Sequence, residues 1–167
     1  MGAIELRWGL IIGGANLGWL YGSYYMGMQT SGLGMIQIMT LVSVVISIIG
    51  YVCALRAIVK AEPEITCLEG VKSGAIVVGV VTVVAVLAQV GYHKLVFPGF
   101  TKYMVGETEI FYRNNGLPAE QVIEMAEGAG KTFGLASYAM QSALGALIIG
   151  MITVTIVMAI LRRRRYP

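Results

Sequence analysis

Four stretches of this chain run for about 20 residues or more with no charged side chain in their cores, the length an α-helix needs to cross a hydrocarbon layer. They cover about residues 6–26, 35–58, 73–96 and 134–161. In lipid the backbone N–H and C=O groups must find partners inside the segment, which outside a closed barrel only a helix provides. The third stretch tests this rule. Its core from Ala75 to Ala88 is almost entirely Val, Ala, Ile, Leu and Gly, a composition that in a soluble protein would suit a buried strand. Strands average about 5–6 residues, so length decides for a helix. The rest of the composition agrees. Charged residues make up 13% of the chain, against about 25% in soluble domains. Four spans use about half of the 167 residues. The expected fold is therefore all-α, a single integral membrane domain over residues 1–167.

Between the third and fourth stretches lies a polar loop at about residues 97–133. Phe97-Pro98-Gly99 stops the third helix. Phe100 to Arg113 then alternates with helical period: Lys102, Glu109 and Arg113 on one side, Phe100, Tyr103, Met104 and Phe111 on the other. Asn114-Asn115-Gly116 is a turn signal, and Pro118 suits the first turn of a second helix. In that helix Val122, Met125, Ala126, Ala129 and Phe133 form one stripe and Glu120, Glu124, Glu127 and Lys131 the other. The loop is expected to be an extracytoplasmic amphipathic helical hairpin.

Charge sets the orientation. Arg7, Arg56, Lys60, Lys72 and Arg162 to Arg165 fall on one side of the membrane, close to span ends. Lys94, Lys102, Arg113 and Lys131 fall on the other, where the first loop is uncharged. The richer side is cytoplasmic by the positive-inside rule, so both chain ends are expected there. The first stretch lacks the basic lead and the small-residue cleavage pattern of a signal peptide. The run Arg162, Arg163, Arg164 and Arg165 serves as a topology signal and contacts anionic headgroups. A nucleic-acid partner is not expected.

Small residues recur at spacings of four. Gly9, Gly13, Gly14, Gly18 and Gly22 line the first stretch, and Gly70 and Gly74 open the third. Such spacing lets helices approach closely, either within the bundle, the preferred reading, or in a dimer. Polar residues inside the spans are sparse and uncharged: Asn16, Ser43, Ser47, Thr82, Gln89, Gln141, Ser142 and Thr153. They suit hydrogen bonds between helices. Two ionisable residues are weak functional candidates. Glu107 interrupts the apolar side of the first loop helix; it is either a ligand or proton site, or a carboxylate paired with Lys94, Lys102 or Lys131 or simply solvated. His93 stands near the end of the third stretch without a sequence-adjacent acid or Cys, as an interfacial residue would. Cys53 and Cys67 are too few for a disulfide framework. No metal site, cofactor motif or catalytic set is expected.

Several of these features occur together in order. Glu69-Gly-Val-Lys-Ser-Gly74 leads into the third span. Phe97-Pro-Gly-Phe100, Tyr103-Met104 and Asn115-Gly-Leu-Pro-Ala-Glu-Gln-Val-Ile123 follow, and a Gly-rich last span ends in basic residues. In this the chain resembles bacterial membrane proteins grouped as domain-of-unknown-function family 4199, over nearly its whole length. Such proteins often carry Ser where Pro118 stands. The resemblance implies a bacterial inner-membrane location and brings no activity with it. For function three classes are expected, in descending order. The first is a structural or accessory subunit packed against other membrane proteins or its own copies. The second is a small oligomeric transporter or channel lined by Asn16, Gln89 or Gln141. The third is an enzyme built around Glu107 and His93, or Glu69 and Lys72. A dry, apolar bundle interior would count against transport.

Overall fold

The computed structural model describes residues 2–163, with the side chain of Arg163 excluded. Six α-helices follow one another: α1 (Ala3–Tyr25), α2 (Leu33–Ala61), α3 (Cys67–Gly91), α4 (Phe100–Asn114), α5 (Ala119–Thr132) and α6 (Leu135–Arg163). A short 3₁₀ turn, Met28–Thr30, joins α1 to α2, and α3 runs on into a π-helical turn, Tyr92–Val96. The protein is all-α over the described residues.

Among the described residues three helices are long and apolar enough to cross a membrane: Leu33–Ala61, Cys67–Val96 and Leu135–Arg162. The fourth expected span, α1, has 23 residues, enough for about 34 Å. It falls outside this set because Glu5, Arg7, Asn16, five glycines and its Trp and Tyr residues dilute its aliphatic content. The polar stretch from Lys60 to Lys72 is also shorter as a loop than its composition suggests. α2 runs on to Ala61 and α3 begins at Cys67. A capping box explains the early restart: the Glu69 N–H donates to Thr66 Oγ1 at 3.3 Å, and the Glu69 carboxylate accepts from the Thr66 N–H at 2.8 Å.

α3 is the centre of the bundle. Val77, Val78 and Val81 on it are buried, and they join Ile12 of α1, Tyr51, Leu55 and Ile58 of α2, and Val154 and Met158 of α6 in one apolar core. Lipid tails are as apolar as these side chains, so close packing rather than exclusion from water holds such helices together. Glycines supply the close approach. A Cβ on Gly9 would stand 2.6 Å from Val80, and one on Gly13 2.7 Å from Val84, which lays α1 alongside α3 in the same direction. Gly70 faces Met158, Gly74 faces Val154 and Leu55, and Gly150 faces Val78 at 2.7 Å, which runs α6 antiparallel to α3 in steps of four. Gly14, Gly18 and Gly22 face open space within the chain. On the outside, Leu41, Val45, Ile49, Val83, Leu87, Ile148, Ile152 and Ile156 are exposed, a surface that suits lipid.

α4 and α5 form the expected hairpin, turning at Gly116 with φ 78°. Their inner faces differ in detail from the sequence pattern. Phe100, Met104, Thr108, Val122, Ala126 and Ala129 are buried, whereas Phe111 and Met125 are exposed.

Candidate functional site

The two ends of the bundle pack differently. In the half towards the α2–α3 loop, Tyr51, Ala54, Leu55 and Ile58 of α2 are buried, and Gly150, Val154 and Met158 of α6 are buried as well. Towards the hairpin, only Met39 of α2 is buried before Tyr51, and no described residue of α6 is buried before Gly150. The helices diverge there and leave a cleft of about 1240 Å³, roofed by α4 and α5.

Tyr51 is its floor. The hydroxyl lies beside Gly150, 2.9 Å from where that residue's Cβ would stand, and the side chain is 1% exposed. Polar side chains of four helices reach the space above it. α1 contributes Asn16, α2 contributes Gln37, Thr40, Ser43 and Ser47, α3 contributes Gln89, and α6 contributes Gln141 and Ser142. On α2 these positions recur at three- and four-residue steps, which is one helical face. Some are already engaged. The Asn16 amide donates to Ser47 Oγ at 3.0 Å and to the Ile12 carbonyl at 3.0 Å. The Trp19 indole N–H donates to the Met39 carbonyl at 3.0 Å, tying α1 to α2. The Gln141 amide donates to the Thr132 carbonyl at 3.0 Å. Two buried atoms on residues that line the cleft have no partner among the described residues: the Tyr51 hydroxyl and Gln89 Oε1.

An unpaired buried hydroxyl costs its desolvation, and an apolar replacement of the same shape removes that cost. Tyr51→Phe is therefore expected to leave thermal stability in detergent unchanged or to raise it by about 1 kcal/mol. A clear loss would mean that a partner satisfies Tyr51 in the membrane.

An aromatic cluster closes the hairpin end. Tyr92 and Phe100 are buried at its centre, with Tyr24, Phe97, Phe133 and Tyr138 around them. The Tyr92 hydroxyl donates to Gln29 Oε1 at 2.9 Å, and the Gln29 amide donates on to Ser23 Oγ and the Leu20 carbonyl, both at 2.9 Å. Nothing in the local pattern around Gln29 signals this link; it joins residues 63 positions apart.

His93 sits in the π-helical turn beside this cluster and is buried within the protein. Its Nδ1 lies 3.0 Å from the Gln89 carbonyl and its Nε2 3.3 Å from the Phe133 carbonyl. The Thr101 hydroxyl donates to the same Phe133 oxygen at 3.0 Å. Glu107 is elsewhere, at the contact between α4 and the start of α2. Its carboxylate lies near Gly32 and beside the Tyr103 hydroxyl, which accepts the Gly32 N–H at 3.1 Å. Burial raises the Tyr103 phenol above its usual range, with the Gly32 N–H acting against this and Glu107 adding to it. The sequence held the signal, since Tyr103 precedes Glu107 by four residues. Among the described residues the sole ion pair is Arg113 with Glu109, so Glu107 does not pair there with Lys94, Lys102 or Lys131.

His93 and Glu107 thus belong to different contacts. Glu69 is held in the Thr66 capping box, with Lys72 a nearby charge. Among the described residues no group of three His, Cys or Glu side chains could hold a metal. Cys53 and Cys67 are free and exposed. Arg162 donates to the Pro63 carbonyl at 3.2 Å. The Arg163 side chain, Arg164 and Arg165 lie outside the described residues. Asn16, Gln89 and Gln141, from three different helices, meet at the cleft.

No curated protein and no solved structure matches the chain. A family model described as protein of unknown function (DUF4199) matches residues 7–163. With that match and its long apolar helices, the chain is a multi-pass membrane protein that belongs to the DUF4199 family.

Proposed function

We propose that α1 crosses the bilayer with α2, α3 and α6 as one integral domain of a bacterial inner membrane. Both chain ends are then cytoplasmic and the α4–α5 hairpin lies outside. The basic residues Arg7, Arg56, Lys60, Lys72 and Arg162 to Arg165 support this orientation. The seams of α1 and α6 with α3 support the crossing of α1.

In that frame the cleft occupies the outer half of the membrane, and the protein is a small-molecule binding or transport component. One observation carries this reading: four helices aim uncharged polar side chains into a space of about 1240 Å³. A chain that only packs against neighbours has no use for such an interior. Ligand sites are concave, largely apolar and fitted with a few convergent polar groups. Apolar positions such as Leu17, Val44, Val81 and Ile149 supply the remaining wall. In this reading the protein performs no covalent chemistry of its own.

An accessory-subunit role remains the second reading. It is favoured by Ile110 and Ile123, which the hairpin leaves exposed outside the cleft.

Gentle extraction followed by native mass spectrometry separates the two. The ligand reading expects the chain to retain a bound small molecule. The double variant Ser47→Leu, Ser142→Leu, which narrows the cleft and removes two of its hydroxyls, is expected to lose it. A bare chain in a larger assembly of fixed stoichiometry would sink the ligand reading and support the subunit.

A further inference from the structure

We propose that the occupant of this cleft is an uncharged, hydroxyl-bearing lipid, taken from the outer leaflet through the gap between α2 and α6. This rests on the ligand-cleft reading above.

The head must be uncharged because the bundle part of the lining is. Asn16, Thr40, Ser43, Gln89, Gln141 and Ser142 carry no charge, and the one carboxylate on the lining, Glu124, belongs to the roof. A charged head brought between these helices would lose its water, an anion with no counter-charge on the lining and a cation with Glu124 of the roof alone.

The head must carry a donor because of what the cleft leaves unpaired. Gln89 Oε1 is buried without a partner among the described residues, and it can only accept. The Tyr51 hydroxyl at the floor, on a side chain 1% exposed, is also unpaired and can take either role. A hydroxyl head supplies the donor that Gln89 Oε1 lacks. An ester or quinone carbonyl can only accept and leaves Gln89 Oε1 without a donor.

The place of the head follows from helix geometry. Tyr51 and Gly150 touch across α2 and α6. Ser43 and Ser142 each lie eight residues nearer the hairpin on their own helices, and therefore both about 12 Å above the floor. The two helices run in the same direction, so these two lining residues stand at one level of the cleft. Leu17, Leu20, Val81, Ala85 and Ile149 form the apolar surface behind them for a hydrocarbon tail. The volume also exceeds that of most metabolite pockets, which hold about 300–1,000 Å³.

Trp19 lines the cleft and reports on its contents. In the Trp8→Phe protein, reconstituted in phosphatidylcholine nanodiscs, Trp19 is the remaining indole. Four quenchers share one dibrominated stearoyl tail: the monoacylglycerol, the free carboxylate, the quaternary ammonium and the methyl ester. Saturable quenching by the monoacylglycerol is expected, at a concentration about tenfold below that for the other three, the worth of one hydrogen bond to a neutral partner. Gln89→Leu is expected to erase that margin. Ser142→Leu, at a more accessible position, provides the same comparison if Gln89→Leu does not fold. Equal or tighter quenching by the carboxylate, the ammonium or the ester overturns the neutral hydroxyl head and leaves the cleft a ligand site. Quenching that never saturates with any of the four overturns both.

Discussion

Gly74→Val is expected to break the α3–α6 seam and lower unfolding free energy in detergent by about 3 kcal/mol, at the upper end of ordinary overpacking. The new Cβ alone would collide with Val154 and lie 3.2 Å from Leu55. Both neighbours are branched and buried in the same core, Val154 at 0% and Leu55 at 1% exposure. Neither has a flexible end to swing away. Gly70→Ala is a milder version, because the atom it meets is the terminal methyl of Met158, which can turn aside. The internal control is Gly18→Ala. No atom stands within 4 Å of that position, and alanine improves helix propensity by about 0.5–1 kcal/mol. Chemical or thermal unfolding of the three variants checks the order. If Gly18→Ala were as damaging as Gly74→Val, then Gly18 would be in contact with a second chain.

The second large effect belongs to Tyr92. Tyr92→Ala removes the centre of the aromatic cluster and is expected to cost about 3–5 kcal/mol, as for other buried aromatics. Tyr92→Phe keeps the ring contacts with Tyr24, Phe97 and Phe100 and removes only the donor to Gln29. Gln29 is 5% exposed, so its carbonyl oxygen is left without that donor, at a cost of about 1–3 kcal/mol. The double variant Tyr92→Phe, Gln29→Met provides the check, because it removes both partners and should recover part of the loss. No difference between Tyr92→Phe and the unaltered protein would mean that Gln29 has another donor.

Much of this architecture was legible from length and composition. Three of the expected spans and the two hairpin helices coincide with helices of the structure to within a few residues. Their signals are local: long uncharged runs, Pro63 at a break, and Asn115-Gly116 at a turn. The start of α3 was legible too, in the four residues from Thr66 to Glu69, but a polar composition conceals a capping box unless the spacing is sought. The weaker apolarity of α1 was also present in its glycines.

The site was legible only as parts. Asn16, Ser43, Ser47, Gln89, Gln141 and Ser142 stand out as polar residues in apolar runs, and helix bridging explains Asn16 with Ser47. That the others share one empty space depends on how far α2 and α6 diverge. No single helix encodes that angle. It is set by where small residues allow contact, at Gly74 and Gly150, and where none does. His93 shows the same limit, since its carbonyl partner at Phe133 is 40 positions away.

The uneven packing of α2 gives the bundle a mechanical character. α1, α3 and α6 are locked by glycine seams, while α2 is clamped along Tyr51, Ala54, Leu55 and Ile58 and held towards its start by Asn16 and Trp19. It is a cantilever whose root lies at Gly50, seated on Ile12. From Gly34 to Gly50 the arm is about 24 Å long, tied to α1 at Ser47 and Met39, and a tilt of about 5° at the root would displace its tip by about 2 Å. The hairpin is joined to that tip through Gly32 and Tyr103, so any displacement of the tip would carry the roof of the cleft with it.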